Sequence, residues 1–112
     1  LKQFEAGNAP TMVGASRMFT HPTECVKLAD GKWTYLVEPD PKVTRRQDMV
    51  GEYLFINGAI YIVRTAQFRR DQTWFSRESS LYVMSDLNTI DINTKLDFAM
   101  AETVMANPEI LG

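Results

Sequence analysis

Apolar and polar positions along the chain change period several times, and each change marks a predicted element. Leu1 to Ala6, followed by Gly7-Asn8-Ala9-Pro10, reads as the end of a helix closed by a glycine cap and a breaker, its beginning lying before Leu1. Thr11 to Met18, with Met12, Val13, Ala15 and Met18, fits a short buried strand. His21-Pro22 ends it, because proline fixes φ and has no amide donor. Glu24 to Leu28 and Lys32 to Glu38 flank Ala29-Asp30-Gly31, and an Asp-Gly pair between two such runs is a hairpin signal. In the second run Trp33, Tyr35 and Val37 alternate with Thr34, Leu36 and Glu38, the period of a strand. Pro39-Asp40-Pro41 then breaks the pattern, and Lys42 to Val50, with Lys42, Arg45 and Arg46 and no helical period, reads as an exposed basic arm.

Tyr53 to Val63 is the most apolar segment, interrupted by Asn57-Gly58, and such a run fits a strand buried on both faces, with Gly58 at a bulge or close approach. Thr65 to Arg70 reads as a short helix, Leu81 to Met84 as another buried strand, and Thr94 to Met105 as a final helix. In that helix Leu96, Met100 and Val104 recur every four residues, Phe98, Ala101 and Met105 widen the stripe, and Thr94 with Asp97 has capping-box spacing. Asn107-Pro108 closes it. The expected class is therefore α/β: a mixed sheet of the strands near Thr11, Tyr53 and Leu81, covered by the C-terminal helix, with the 24–38 hairpin and the basic arm projecting.

Composition narrows the function classes. Across 112 residues, 45% hydrophobic and 23% charged residues are ordinary globular values, which argues against disorder, coiled coil and membrane spans. Twelve Lys+Arg against fourteen Asp+Glu give a net charge of −2, so the basic excess that favours phosphate-backbone binding is missing and nucleic acid is not an expected partner. A chain of this size can bury about two-thirds of its surface, enough for one domain. The single cysteine, Cys25, cannot form an internal disulfide, which makes the cytoplasm the expected compartment. The chain opens on Leu1 with no signal-peptide pattern, and it reads as cut from something longer.

The glycines at 7, 14, 31, 51, 58 and 112 form neither a dinucleotide fingerprint nor a P-loop, whose phosphate cradles need glycines at close set spacings. No nucleophile elbow is present, and His21 is the one histidine available to a triad. His21 and Cys25 alone do not make a zinc site; a strand-end histidine and a buried structural thiol are the simpler reading. The informative constellation is Asp91-Ile92-Asn93 ahead of the last helix. Asp91 and Asn93 aim two oxygens to one side at the mouth of the sheet, as Mg²⁺ binding needs. The alternative is that Asn93 is only the helix N-cap and Asp91 only favours the dipole.

Phe55-Ile56-Asn57-Gly58-Ala59-Ile60-Tyr61-Ile62, preceded by Arg45-Arg46-Gln47-Asp48 and followed by Leu81-Tyr82-Val83-Met84, Ile90-Asp91-Ile92-Asn93 and Leu96-Asp97-Phe98-Ala99-Met100-Ala101-Glu102, resembles the acylneuraminate cytidylyltransferases, the CMP-sialic acid synthetases and their relatives for other nonulosonic acids. The order and spacing of these pieces carry the resemblance, which covers the whole chain, residues 1–112, but only the C-terminal half of the family's domain. It implies half of a Rossmann-like nucleotidyltransferase domain with a hairpin and dimerisation arm at about 24–50, transfer of CMP from CTP to a nonulosonic acid, a Mg²⁺ cofactor and a homodimer. Carried over, Asp91 matches the first metal-binding aspartate and Asn93 the second position. Asn57 matches the asparagine at the sugar pocket, Trp74 and Phe75 fall where relatives have two aromatics near the sugar, and Arg45, Arg46 and Gln47 lie in the arm.

Three departures qualify the resemblance. The family's nucleotide-binding loop has no counterpart in these residues, Asn93 replaces an aspartate and weakens any metal site, and Phe55 stands where some relatives carry a sugar-binding arginine. The expectation is a C-terminal portion of such an enzyme, inactive alone and completed by a missing N-terminal half. The alternative is a non-catalytic sugar-binding or dimerisation module derived from it. On the residues alone, Asn57-Gly58 can equally be a bulge, Trp74-Phe75 core aromatics, and Arg45-Arg46 a solvated loop.

Overall fold

A computed structural model describes residues 1–49 and 51–111, with the side chains of Arg46, Leu87 and Leu111 left out of the description. Contacts divide the chain into two compact units, Leu1–Ser16 together with the residues from Ile56 onward, and Arg17–Phe55.

The first unit holds all but the end residues of a three-stranded sheet ordered β4-β1-β5, with strand β1 (Thr11–Arg17) at its centre, β4 at Leu54–Val63 and β5 at Ser80–Val83. β1 and β5 are parallel, in the register Met12 to Ser80, Val13 to Leu81, Gly14 to Tyr82 and Ala15 to Val83. The Arg64 amide bonds the Pro10 carbonyl at 3.1 Å, and the Met18 amide bonds the Tyr53 carbonyl at 3.1 Å, so β4 runs antiparallel to β1. The sheet is mixed, as the sequence predicts.

In the first unit the buried apolar side chains among the described residues are Phe4, Met12, Val13 and Ala15, joined by buried Thr11 and Ser16; in the second, Pro22 is buried. The core thus sits on β1. Helix α1 (Lys2–Ala6) sends Phe4 into it, and Arg64 lies 4.7 Å over the Phe4 ring while its guanidinium donates to the carbonyls of Gly7 and Ala9. Gly7 does follow α1, but in extended backbone and not in the left-handed cap conformation.

Two burial expectations are corrected. β4 and β5 form where predicted, yet Phe55, Ile56, Tyr61, Leu81, Tyr82 and Val83 remain exposed. Both are edge strands, and a strand is buried on both faces only when helices cover the sheet. The expected cover is α3 (Lys95–Ala106), in which no residue is buried. Its apolar residues run round the helix: Leu96, Phe98, Met100 and Met105 are exposed, while the half-buried positions are Asp97, Ala101 and Val104. Helix α2 (Thr65–Asp71) lies where expected and ends on Gln72 in the left-handed region, φ 53°.

The second unit carries the predicted hairpin, β2 (Val26–Ala29) against β3 (Lys32–Tyr35). Asp30 and Gly31 have φ of 52° and 71°, the paired positive angles of a type I′ turn that suits twisted strands. β3 stops at Tyr35, short of Glu38. Beyond it Asp40 accepts from the Lys42 amide at 2.9 Å, and a single 3-10 turn occupies Arg46–Asp48. Val50, the expected end of the arm, lies outside the described residues.

Candidate functional site

In the first unit Asn57 of β4 reaches β1 and the residue that follows β5. Gly58 has φ 73°, so β4 turns locally into the left-handed region at the Asn57-Gly58 interruption, as a bulge requires. The Asn57 side chain crosses β1: Nδ2 donates to Ser16 Oγ at 2.7 Å and lies 3.2 Å from Met84 Sδ, just past β5, while Oδ1 accepts from the Ala59 amide at 3.1 Å. A backbone amide can only donate, so the oxygen of the carboxamide must be the atom facing Ala59. Gly14 makes room, because a Cβ there would lie 2.7 Å from Asn57 Oδ1 and 3.3 Å from the Ile60 nitrogen.

Trp74 and Phe75 are not core aromatics. They are 55% and 43% exposed, and each leans on a neighbour: Trp74 on Phe68 of α2 with centroids 4.7 Å apart, Phe75 on Tyr61 of β4 at 5.8 Å. Two partly exposed aromatic pairs can accept the apolar face of a ligand. Phe75 meets the strand that holds Asn57 through Tyr61.

At the start of α3 the structure separates the two readings of Asn93. Thr94, not Asn93, is the N-cap: its Oγ1 accepts from the Asp97 amide at 3.2 Å, and Asp97 Oδ2 accepts from the Thr94 amide at 2.7 Å, a complete capping box. Asn93 stands one residue outside, its backbone amide donating to Asp97 Oδ2 at 3.1 Å and its Nδ2 donating to Asp91 Oδ2 at 2.8 Å. Hydrogen bonds from the Thr94 hydroxyl, the Thr94 amide and the Asn93 amide hold the Asp97 carboxyl below the usual carboxylate range. The Asp91 and Asn93 side chains are therefore side by side and exposed, and the α3 cap is made by Thr94.

Their donor set fits a hard cation only in part. One carboxylate and one amide oxygen suit Mg²⁺, but the Asn93 amide nitrogen is the atom turned toward Asp91. Among the described residues no group of three or more His, Cys, Asp or Glu side chains is placed to hold a metal ion. Four or more of the six positions Mg²⁺ demands would fall to water or ligand oxygens.

The other expected sugar contacts belong to the second unit. Arg45 is exposed and its Nε pairs with Asp48 at 2.9 Å, Gln47 is exposed, and the side chain of Arg46 lies outside the described residues. In the same unit His21 Nδ1 accepts from the Thr23 amide at 3.4 Å, its ring meets Tyr53 edge-on at 4.7 Å, and the half-buried Cys25 donates its thiol to the His21 carbonyl at 3.7 Å. A cleft of about 270 Å³ opens here, lined by His21, Val37, Glu38, Met49 and Tyr53 among others.

Sequence reasoning missed Gly14, Ser16 and Met84 as partners of Asn57, and Phe68 and Tyr61 as partners of the aromatic pair. The available signal was Ser16, a hydroxyl inside a run that reads as a buried strand; a buried hydroxyl needs a partner.

No protein-family model matches the chain. Over 98 residues it is 26% identical to the N-acylneuraminate cytidylyltransferase of Streptococcus agalactiae serotype V, and equally to those of serotypes III and Ia. The similarity takes in 88% of this chain and 24% of each enzyme, so the chain is similar over most of its length to a part of N-acylneuraminate cytidylyltransferase, spanning about a quarter of it.

Proposed function

We propose that this chain is the C-terminal portion of a CMP-N-acylneuraminate synthetase, contributing part of the sugar and metal sites of a nucleotidyltransferase-like domain. The observation that carries this reading is the similarity of nearly the whole chain to one part of those enzymes. Three features of the first unit support it: a fixed carboxamide at Asn57, two partly exposed aromatics at Trp74 and Phe75, and the Asp91-Asn93 pair before α3.

In this reading Asn57, Trp74 and Phe75 receive the sugar, with Arg45, Arg46 and Gln47 reaching it from the arm of a partner subunit. Asp91 and Asn93 would hold Mg²⁺, which when bound neutralises phosphate charge. The chain's own residues bind and orient, the larger share of what phosphoryl-type transfer asks of a protein. The CTP-binding loop is supplied by another segment, so the chain alone binds sugar without forming CMP-sugar.

The 24–50 region is the dimer arm. Val26 pairs with Tyr35 and Leu28 with Trp33, which places these four apolar side chains on one face of the hairpin, all of them exposed. Such a face suits burial against a second copy. A second reading, a binding or dimerisation module without catalysis, is favoured by Asn93, whose neutral amide occupies the Asp91 carboxylate where the resemblance implies a second charge.

The test is calorimetry and turnover with the purified chain. Binding of N-acetylneuraminate, without pyrophosphate release on addition of CTP and Mg²⁺, is the expected result. Robust CMP-sugar formation would overturn the division of labour, and absence of any sugar binding would overturn the sugar site.

A further inference from the structure

The hydrogen bonds of Asn57 can be counted atom by atom, and the count restricts what the residue can recognise. A carboxamide has two N–H donors and two oxygen lone pairs. Ser16 Oγ takes one hydrogen at 2.7 Å, and Met84 Sδ, 3.2 Å from the same nitrogen, takes the other. The Ala59 amide occupies one lone pair at 3.1 Å. Ser16 is 1% exposed and cannot move aside for solvent. Gly14 leaves the space that Oδ1 occupies: a Cβ there would lie 2.7 Å from it, while Asn57 itself is only half-buried.

We infer that Gly14, Ser16 and Met84 are positioning residues that hold Asn57 with both amide hydrogens engaged, so that it offers a ligand only the second lone pair of Oδ1. Asn57 therefore accepts a hydrogen bond from a ligand hydroxyl or amide N–H and does not donate to the ligand's carboxylate. The inference rests on the proposed sugar site and assigns the kind of group read there. An acylated amino sugar acid carries both kinds of group, donor hydroxyls and acylamide on one side and an acceptor-only carboxylate on another, so the choice fixes which side of the sugar faces β4. It also gives a role to the serine at 16 and the glycine at 14 in β1: one supplies the acceptor and the other the space.

Two measurements test it. In the first, the side-chain carboxamide of Asn57 is followed in the ¹⁵N-labelled chain without ligand. The expected spectrum has two well-separated hydrogens protected from exchange with water, collapsing toward free-asparagine values in Ser16→Ala. A wild-type carboxamide that exchanges freely overturns the lock, and no variant is needed for that result. In the second, N-acetylneuraminate and its methyl ester are titrated into wild type, Asn57→Ala and Ser16→Ala. The expected loss is about five- to tenfold for each variant, equal for acid and ester, the size of one hydrogen bond. A loss confined to the acid overturns the inference by showing recognition of the carboxylate. So does a Ser16→Ala affinity equal to wild type. If wild type binds neither compound, the sugar reading fails and the acceptor assignment with it, while the carboxamide spectrum still decides whether the residue is locked.

Discussion

Leu28 and Trp33 stand opposite each other across the β2–β3 hairpin, and they are 73% and 57% exposed. A cross-strand apolar pair is normally a buried element of sheet stability. Here it is a surface, and with Val26 and Tyr35 it makes the apolar side of the proposed arm. The replacement Leu28→Glu is expected to shift the chain from dimer to monomer in sedimentation at micromolar concentration, with its far-ultraviolet circular dichroism unchanged. An equally monomeric wild type would contradict the arm's role.

Gly14→Ala places a methyl group 2.7 Å from Asn57 Oδ1. Overpacking of this kind costs about 1–3 kcal/mol. The expected result is a lower urea midpoint with an unchanged slope, together with displacement of the Asn57 carboxamide resonances. The same change at Gly31, where no atom lies within 4 Å of the added carbon but φ is positive, should act through backbone strain and leave Asn57 untouched.

The capping box of α3 predicts a pH dependence. The charged Asp97 carboxylate is the form that accepts from Thr94 and Asn93, so its affinity for protons is lower in the folded chain than in the unfolded one. The unfolded state then binds more protons near pH 4, and stability rises with pH there. The contribution is complete above about pH 5 and is lost as pH falls through the depressed folded value. Helicity followed by circular dichroism between pH 6 and pH 2 should show this decline, and Asp97→Asn should flatten it. Thr94→Ala removes the cap itself and is expected to cost about 1 kcal/mol at neutral pH.

Asn93→Asp restores a second carboxylate beside Asp91. Magnesium titration followed by calorimetry is expected to show affinity raised about tenfold over wild type, as ligand charge count sets such sites, and Asp91→Ala should abolish the response. Equal heats from wild type and both variants would remove metal binding from this loop.

Local chemistry was legible in the sequence where one residue type dictates one conformation. Asp30-Gly31 announced its hairpin, Thr94 and Asp97 their capping box, and the apolar runs at Thr11, Tyr53 and Leu81 their strands. Burial was not legible. Whether Leu81 or Tyr61 is covered depends on what packs over an edge strand, and apolar content alone carries no such information. The candidate site divided in the same way. Asn57 and Asp91 were visible through motif order, but Ser16, Met84 and Gly14 act on Asn57 from 41, 27 and 43 positions away and belong to no motif of their own. Asn93 and Thr94 both precede the helix and both suit an N-cap, and the one-residue choice between them rests on the reciprocal bonds of Asp97, which fall on Thr94.

The parallel register of β1 and β5 also sets an order of events during synthesis. Thr11 bonds Ser79, a partner 68 residues downstream, and Met12 lies beside Ser80. Closing a loop of that length carries a large entropic penalty before any contact rewards it, and contacts so remote in sequence slow folding. As the chain leaves the ribosome, β1 precedes both of its neighbours, and the edge that takes β5 stays unpaired longest, until β5 has followed β4. Until then its open edge and apolar side chains are a place where a chaperone, or a neighbouring nascent chain, can pair first.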